Sequence, residues 1–172
     1  MSKPKRVLKF FLKDKPNGWA SNFTPSPITI DGVTYPCVEI YYQAQRAAHE
    51  GLRKWIASCP ADKPYHAMKA GRALRPEKGE VVEDWDNKKL KVMHRGLFEK
   101  YMQNPEFKKK LLSTGDAEFM EMDSKNPFWG IGDGTGKNWM GKLTETVREE
   151  IRALEQKTQT KLPTEGKEND HN

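Results

Sequence analysis

One acid in apolar and aromatic surroundings is the first feature of this sequence that could do chemistry. Glu39 lies in the segment TYPCVEIYYQAQR, where its neighbours are Tyr35, Val38, Ile40, Tyr41 and Tyr42. A carboxylate in such surroundings is costly unless it is paired, so it must have either a partner or a chemical use. Residue type alone leaves a structural role open, because an acid near the start of a helix also stabilises the helix dipole.

The element that must position Glu39 is a helix. Pro36 stands where a first-turn proline occurs, and Val38, Tyr41, Tyr42 and Gln45 follow at the spacing of one helical face. This pattern predicts a helix that begins near Pro36. Glu39 then lies in its first turn, where the backbone N–H groups favour negative charge.

A glycine-rich loop is the second candidate for chemistry. In NPFWGIGDGTGKNWMG a glycine occupies every second position from Gly130 to Gly136, and the spacing fits neither a P-loop nor a dinucleotide-binding fingerprint. Glycines let a backbone approach a ligand closely, and successive N–H groups can form an anion nest, with Lys137 at its mouth. The alternative is a flexible loop in which Trp129 and Trp139 anchor the core.

Other reactive side chains form no recognisable site. The residues His49, His66, His94 and His171 have no ligand spacing, and neither do Cys37 and Cys59, which we expect to be reduced thiols. Trp85 at a helix start is typical of core packing. We therefore expect no metal and no cofactor.

Composition indicates a soluble, rather polar protein of 172 residues, with 35% hydrophobic and 31% charged residues. No apolar run reaches the length of a membrane span, and the basic N-terminus resembles no signal peptide, so we expect a cytoplasmic or nuclear protein without membrane contact. The net charge of +6 is concentrated near the N-terminus and favours a polyanionic partner or phosphorylated ligand, although a solvated basic face is the alternative.

The periodicity predicts an α+β domain over residues 1–156 that is mainly α-helical, with a few short antiparallel strands, and a polar, disordered tail over 157–172. Strands are predicted over Val7–Leu12, around the Asp31-Gly32 turn of a hairpin, and over Ala117–Met122. Helices are predicted around Leu52–Ile56, from Pro64, from Trp85, after Asn104-Pro105, and over a last stripe from Met140 to Leu154. Long apolar strands do not alternate with helices, which argues against a doubly wound sheet.

Five blocks of the sequence together resemble the NADAR family, also called YbiA-like. In chain order they are SNFTPSPITIDGVTYPCVEIYYQAQR, HAMKAGR, EDWDNKKLKVMHRGLFEKYMQNPEF, LLSTGDAEFME and NPFWGIGDGTGKNWMG. The resemblance implies an N-glycosidase that acts on ribose bonded to a base nitrogen. Some members are similar to enzymes that remove ADP-ribose from modified guanine in nucleic acid, and others hydrolyse a ribosylated intermediate of riboflavin synthesis.

The resemblance also implies site residues. Glu39, Lys69 and Trp85 correspond to family positions expected to be catalytic. The expected ligand-binding residues are Asn22, Phe23, Gln43, Arg46, Asn126, Trp129, Gly130, Gly132, Lys137 and Asn138. Two of these depart from the family pattern, because Arg46 stands where a lysine is usual and Asn126 where an aspartate is usual.

Two routes fit the chemistry of a ribose–nitrogen bond. A carboxylate such as Glu39 can stabilise the developing positive charge on the sugar or activate water. Alternatively, a neutral lysine amine can capture the opened sugar as a Schiff base, for which Lys69 is the first candidate and Lys137 the second, with Met68 and Leu74 expected to desolvate Lys69.

The expected substrate is ADP-ribosylated guanine in nucleic acid. A free ribosylated precursor and a non-catalytic ADP-ribose-binding module are the alternatives. The sequence leaves the oligomeric state open.

Overall fold

Helices make up most of this fold, and the computed structural model describes residues 4–161, with only the backbone of Lys161. The strands are β1 (Val7–Phe10), β2 (Ile28–Ile30), β3 (Val33–Tyr35) and β4 (Glu118–Glu121). The helices are α1 (Val38–Arg46), α2 (Glu50–Ala57), α3 (Pro64–Ala73), α4 (Trp85–Gln103), α5 (Pro105–Ser113) and α6 (Trp139–Lys161). Short 3-10 turns occupy Gly18–Ala20 and Pro76–Lys78. The prediction of a mainly helical α+β fold is confirmed.

The strands form two separate pairs. β2 and β3 are antiparallel, and the turn between them places Asp31 at φ 52° and Gly32 at φ 79°, as the predicted hairpin requires. β1 and β4, in contrast, are parallel, with Val7 opposite Glu118. The expectation of antiparallel strands is wrong for this pair, because helices α1 to α5 connect the two strands and return the chain in the same direction.

Helix α1 lies at the centre of the fold and packs against α2, α3 and α4. Its residues from Val38 to Ala44 are all buried, which explains the apolar and aromatic sequence around Glu39. The helix begins after Cys37, close to the predicted start at Pro36. The protein therefore builds its core around the element that carries its most unusual acid.

Helix α6 extends further than the sequence predicted. It continues to Lys161, so residues 157–161 are helical rather than disordered, and residues 162–172 of the predicted tail lie outside the described residues. Glutamate, glutamine and lysine in EQKTQTK are good helix formers, and they prolong a helix that is already nucleated by its buried stripe. Among residues 4–161, no helix combines the length and apolar character that a membrane crossing requires.

Candidate active site

A cavity of about 740 Å³ opens between α1, α3, the first turn of α4 and the loops that follow β1 and β4. This volume lies in the range of pockets that bind small molecules and cofactors. Of the residues predicted from the sequence, the cavity wall contains Asn22, Phe23, Glu39, Gln43, Arg46, Trp85, Asn126 and Trp129. The fold thus brings together residues from segments that are more than a hundred positions apart in the chain.

Glu39 is held at the cavity wall by amide groups. Asn22 Nδ2 donates to Glu39 Oε2 over 2.5 Å, and Gln43 Nε2 donates to Glu39 Oε1 over 2.8 Å. The side chain is only 4% exposed, and burial raises the pKa of Glu39 to about 7. The hydrogen bond from Gln43, the charge of Arg72 and the hydrogen bond from Asn22 oppose this rise because each favours the carboxylate. Glu39 is therefore buried, oriented and poised to exchange a proton near neutral pH.

The two amides are positioned by the local backbone. Gln43 lies one turn after Glu39 on α1, so both side chains share a helical face. Asn22 is tied to the start of the same helix, because the Glu39 N–H donates to the Asn22 carbonyl over 3.0 Å. On α3, Gly71 leaves room for Gln43, since a Cβ at this position would overlap Gln43 Oε1.

Aromatic rings form a second part of the wall. Tyr42 lies between Trp85 and Trp129, with ring centroids 5.2 Å and 5.6 Å away. Trp85 is 8% exposed, so it packs in the core and also contributes to the cavity surface. Such faces can stack on a planar base.

Charged side chains of both signs also line the cavity. Lys13, Arg46, Arg72, Lys89 and Lys125 line the cavity, together with the acids Asp14, Asp62, Asp86 and Asp123. Arg46 Nε is buried and has no hydrogen-bond partner within residues 4–161. Its guanidinium thus retains a donor for a ligand oxygen.

The glycine-rich loop does not form the predicted anion nest. The N–H groups of Gly130, Gly132, Gly134 and Gly136 each donate to a backbone carbonyl of the chain. None of these glycines lines the cavity. Gly130 is needed for packing, since a Cβ there would lie 2.9 Å from the Asp123 carbonyl oxygen, whereas Gly134 has open space around it and adopts φ 107°.

The side chain of Asn138 forms hydrogen bonds with the protein backbone. Its side chain is buried and bridges the loop to β4, accepting from the Glu121 N–H over 3.0 Å and donating to the Phe119 carbonyl over 2.8 Å. Lys137 is exposed, and its amine lies 5.7 Å from the centroid of the Phe128 ring. Neither residue lines the cavity, so a ligand-binding role for these two residues stays a prediction.

Comparisons with known proteins give the family of this chain. The sequence matches the family model of the NADAR domain over residues 10–152. The chain belongs to the NADAR domain family. That match extends from the end of β1 into α6 and so includes every wall of the cavity.

Known NADAR relatives differ in length. The N-glycosidase YbiA of Escherichia coli is 32% identical over 146 residues, which cover 84% of this chain and 88% of that protein. A riboflavin biosynthesis protein of Vibrio vulnificus is 35% identical over 143 residues, but this chain spans only 38% of its length. The NMR structure of Escherichia coli YbiA superposes with a TM-score of 0.78 at 30% sequence identity, covering 99% of this chain and 94% of that one.

The family resemblance implied a catalytic Lys69, but in this NADAR domain Lys69 lies outside the cavity wall. Its side chain is exposed, and its amine lies 4.8 Å from the centroid of the Tyr65 ring. The predicted desolvation by Met68 and Leu74 is wrong, because α3 turns Met68 and Arg72 toward the cavity and leaves Lys69 beside them in solvent.

Asn126, where the family resemblance implied an aspartate, shapes the loop that presents Trp129. Its Oδ1 accepts from the N–H groups of Phe128 over 3.3 Å and Trp129 over 3.1 Å. An aspartate oxygen could accept the same two bonds, so the substitution preserves this turn.

Sequence reasoning gave no role to Glu121, although it is a buried acid of the cavity wall. Burial raises the pKa of Glu121 to about 8, and the nearby charges of Asp123 and Glu39 act in the same direction. A signal was present in the sequence, because β4 buries Phe119 and Glu121 on the same face. An acid on the buried, otherwise apolar face of a strand marks a candidate site.

Proposed function

We propose that this protein is an N-glycosidase that hydrolyses the bond between ribose and a base nitrogen. One observation carries the proposal, namely the buried Glu39 carboxylate held by two amides on the wall of an aromatic cavity. As the C1′–N bond breaks, the sugar gains positive, oxocarbenium-like character, which a fixed carboxylate stabilises. The same carboxylate can accept a proton from the attacking water.

The substrate that we propose is ADP-ribosylated guanine in nucleic acid. The Trp85 and Trp129 faces suit a stacked base, and the cations of the cavity wall suit phosphate oxygens. The net charge of +6 favours a polyanionic substrate over a small free one. Such a substrate requires a cytoplasmic or nuclear location.

A ribosylated intermediate of riboflavin synthesis is the second candidate. It is favoured by the name of the Vibrio vulnificus relative, a riboflavin biosynthesis protein that is 35% identical to this chain. A module that binds ADP-ribose without chemistry is a third candidate, which the Asn126 departure from the family aspartate keeps open.

One set of incubations tests the three candidates. We expect the wild-type protein to release ADP-ribose from DNA that carries ADP-ribosylated guanine, with or without a chelator. Glu39→Gln keeps the shape of the side chain and removes its charge, so we expect a folded variant with turnover reduced by a factor of roughly 100 or more. Chromatography of the released sugar measures both.

Each alternative outcome selects another candidate. Hydrolysis of the riboflavin-pathway intermediate alone selects the second candidate. Tight binding of ADP-ribose without turnover of any ribosylated substrate selects the binding module. A normal rate in Glu39→Gln removes this carboxylate from the mechanism, and loss of activity with chelator contradicts metal-free hydrolysis.

A further inference from the structure

Glu121 is a second buried carboxyl group at the cavity, and neither the Glu39 route nor the lysine route uses it. The residue ends β4, opposite Phe10 of the parallel strand β1. Its backbone is fixed on both sides, because its N–H donates to Asn138 Oδ1 and its carbonyl accepts from the Ile131 N–H. The side chain is only 7% exposed and lines the cavity.

The surroundings of Glu121 and Glu39 differ in the hydrogen bonds that they supply. Both oxygens of Glu39 accept from amide N–H groups, an arrangement that favours the ionised form. Glu121 Oε2 is buried and has no hydrogen-bond partner in the part of the chain that the structure describes. An ionised carboxylate with a buried, unpaired oxygen costs more free energy than a protonated carboxyl group, which carries no charge.

The nearby charges act in the same sense. Burial raises the pKa of Glu121 to about 8, and the charges of Asp123 and Glu39 act in the same direction. On strand β1, the residue opposite Glu121 is the apolar Phe10. Two charged residues of α6 form hydrogen bonds near β4 but not with Glu121, since Glu145 accepts from the Phe119 N–H and Arg148 donates to the Ala117 carbonyl. The other charged residues of the cavity wall are the cations Lys13, Arg46, Arg72, Lys89 and Lys125 and the acids Asp14, Asp62 and Asp86.

We propose that Glu121 is the general acid of the reaction and donates the proton that the leaving base requires, while Glu39 acts as the carboxylate. This assignment rests on the proposed N-glycosidase function. Two carboxyl groups whose environments separate their protonation states are the recurring arrangement of acid and base in hydrolysis of glycosidic bonds.

The step balances without a co-reactant. The C1′–N bond breaks, its electron pair stays on the base nitrogen, and that nitrogen takes the proton from the Glu121 carboxyl group. Water forms the new C1′–O bond and gives one proton to Glu39. Afterwards Glu39 is protonated and Glu121 is ionised, and proton exchange through solvent restores the starting state.

Single-turnover rates between about pH 5.5 and about pH 9.5 test the assignment. The wild-type rate should rise as Glu39 ionises and fall as Glu121 loses its proton, so the maximum should lie between about pH 7 and about pH 8. In Glu121→Gln, we expect a rate lower by roughly 10²–10⁴-fold and no fall at alkaline pH, because no acid remains to be ionised. ADP-ribose binding should change by less than about threefold, since the substituted amide keeps the shape.

Asp123→Asn is the matched control, because it removes a neighbouring negative charge and keeps the acceptor for the Lys125 N–H. We expect it to retain the alkaline fall and to move it to lower pH, since Asp123 raises the pKa of Glu121. An unchanged alkaline limb in Glu121→Gln would overturn the assignment, as would a variant whose rate equals that of the wild type.

A direct measurement separates this proposal from the proposed function. In carboxyl ¹³C NMR, the resonance that is absent from Glu121→Gln is assigned to Glu121. In the wild type, this resonance should still show a protonated carboxyl group at about pH 7. Ionisation of Glu121 below about pH 6 would overturn the general-acid role whatever the turnover. A wild-type protein without turnover on any ribosylated substrate would overturn the proposed function and the catalytic role, while the titration still decides whether Glu121 holds the proton.

Discussion

Lysine side chains decide between the two routes at the level of single residues. Capture of the opened sugar needs a neutral amine within reach of C1′, and a guanidinium such as that of Arg46 cannot supply one. The lysines on the cavity wall are Lys13, Lys89 and Lys125, and Lys89 pairs with Asp86 over 2.6 Å. An amine that is already held by a carboxylate suits phosphate contact better than nucleophilic attack.

We therefore predict that Lys69 and Lys137 form no covalent intermediate. Lys69→Arg and Lys137→Arg should each retain turnover within about twofold, because both amines lie outside the cavity wall. Borohydride added during turnover, followed by peptide mapping, checks this, since it traps an imine as a stable adduct. An adduct on Lys69 that is absent from Lys69→Arg would instead establish the covalent route, and an adduct on a wall lysine would move that route to another residue.

At the level of elements, the contact between α1 and α3 determines how Glu39 is held. Gly71 on α3 lies against Gln43, whose amide donates to Glu39. Gly51 on α2 has open space around it, so Gly71 and Gly51 are helical glycines with opposite surroundings. They form a matched pair for one substitution.

Gly71→Ala should displace Gln43 and remove its hydrogen bond to Glu39. A hydrogen bond to a charged group contributes roughly 1.5–3 kcal/mol, so we expect turnover to fall by about 10–100-fold. Gly51→Ala should leave turnover unchanged and raise the free energy of unfolding by roughly 0.5–1 kcal/mol, because alanine is the better helix former. Steady-state rates and urea denaturation measure the two effects. Full activity in Gly71→Ala would show that Glu39 does not depend on this amide.

At the level of the whole molecule, one buried lysine links helix α4 to the site. Lys100 of α4 is completely buried, and its amine donates to the carbonyls of Trp19 over 2.7 Å and Ser21 over 2.9 Å. The next residue, Asn22, reaches Glu39. Lys100 therefore fixes the segment that supplies one of the two amides.

Lys100 should make stability depend on pH. Burial lowers the pKa of Lys100 from 10.5 to about 7. Between these values the unfolded chain binds more protons than the folded one, so the contribution of this residue to stability rises with pH. From about pH 7 to about pH 8.5, the free energy of unfolding of the wild type relative to Lys100→Met should rise by up to about 1.4 kcal/mol per pH unit.

Urea denaturation at several pH values in this range measures how the difference in the free energy of unfolding changes with pH. The substitution removes the same hydrogen bonds at every pH, so their loss does not affect this slope. Lys91→Met, an exposed lysine of the same helix, is the control and should give a difference that stays constant. A constant difference for Lys100→Met as well would mean that the buried amine remains charged in the folded protein.

The sequence by itself determined most of the local elements and marked one candidate residue of the site. Helical spacing and first-turn prolines predicted where α1, α3 and α5 begin, because these signals act within a few residues. The Asp31-Gly32 pair predicted its hairpin for the same reason. The unusual surroundings of Glu39 alone marked it as a candidate, since a carboxylate among apolar residues requires a partner or a use wherever the chain folds.

Only the tertiary structure decided which candidates meet. Sequence cannot show that the loop N–H groups from Gly130 to Gly136 are consumed by backbone carbonyls, because their partners depend on how the loop folds back on β4. Nor does the sequence show which side of α3 faces the cavity. The structure shows that Arg72 lines the cavity and Lys69 does not. The pairing of β1 with β4 depends on contacts across the whole chain, and it is this pairing that brings Glu121 to the same cavity as Glu39.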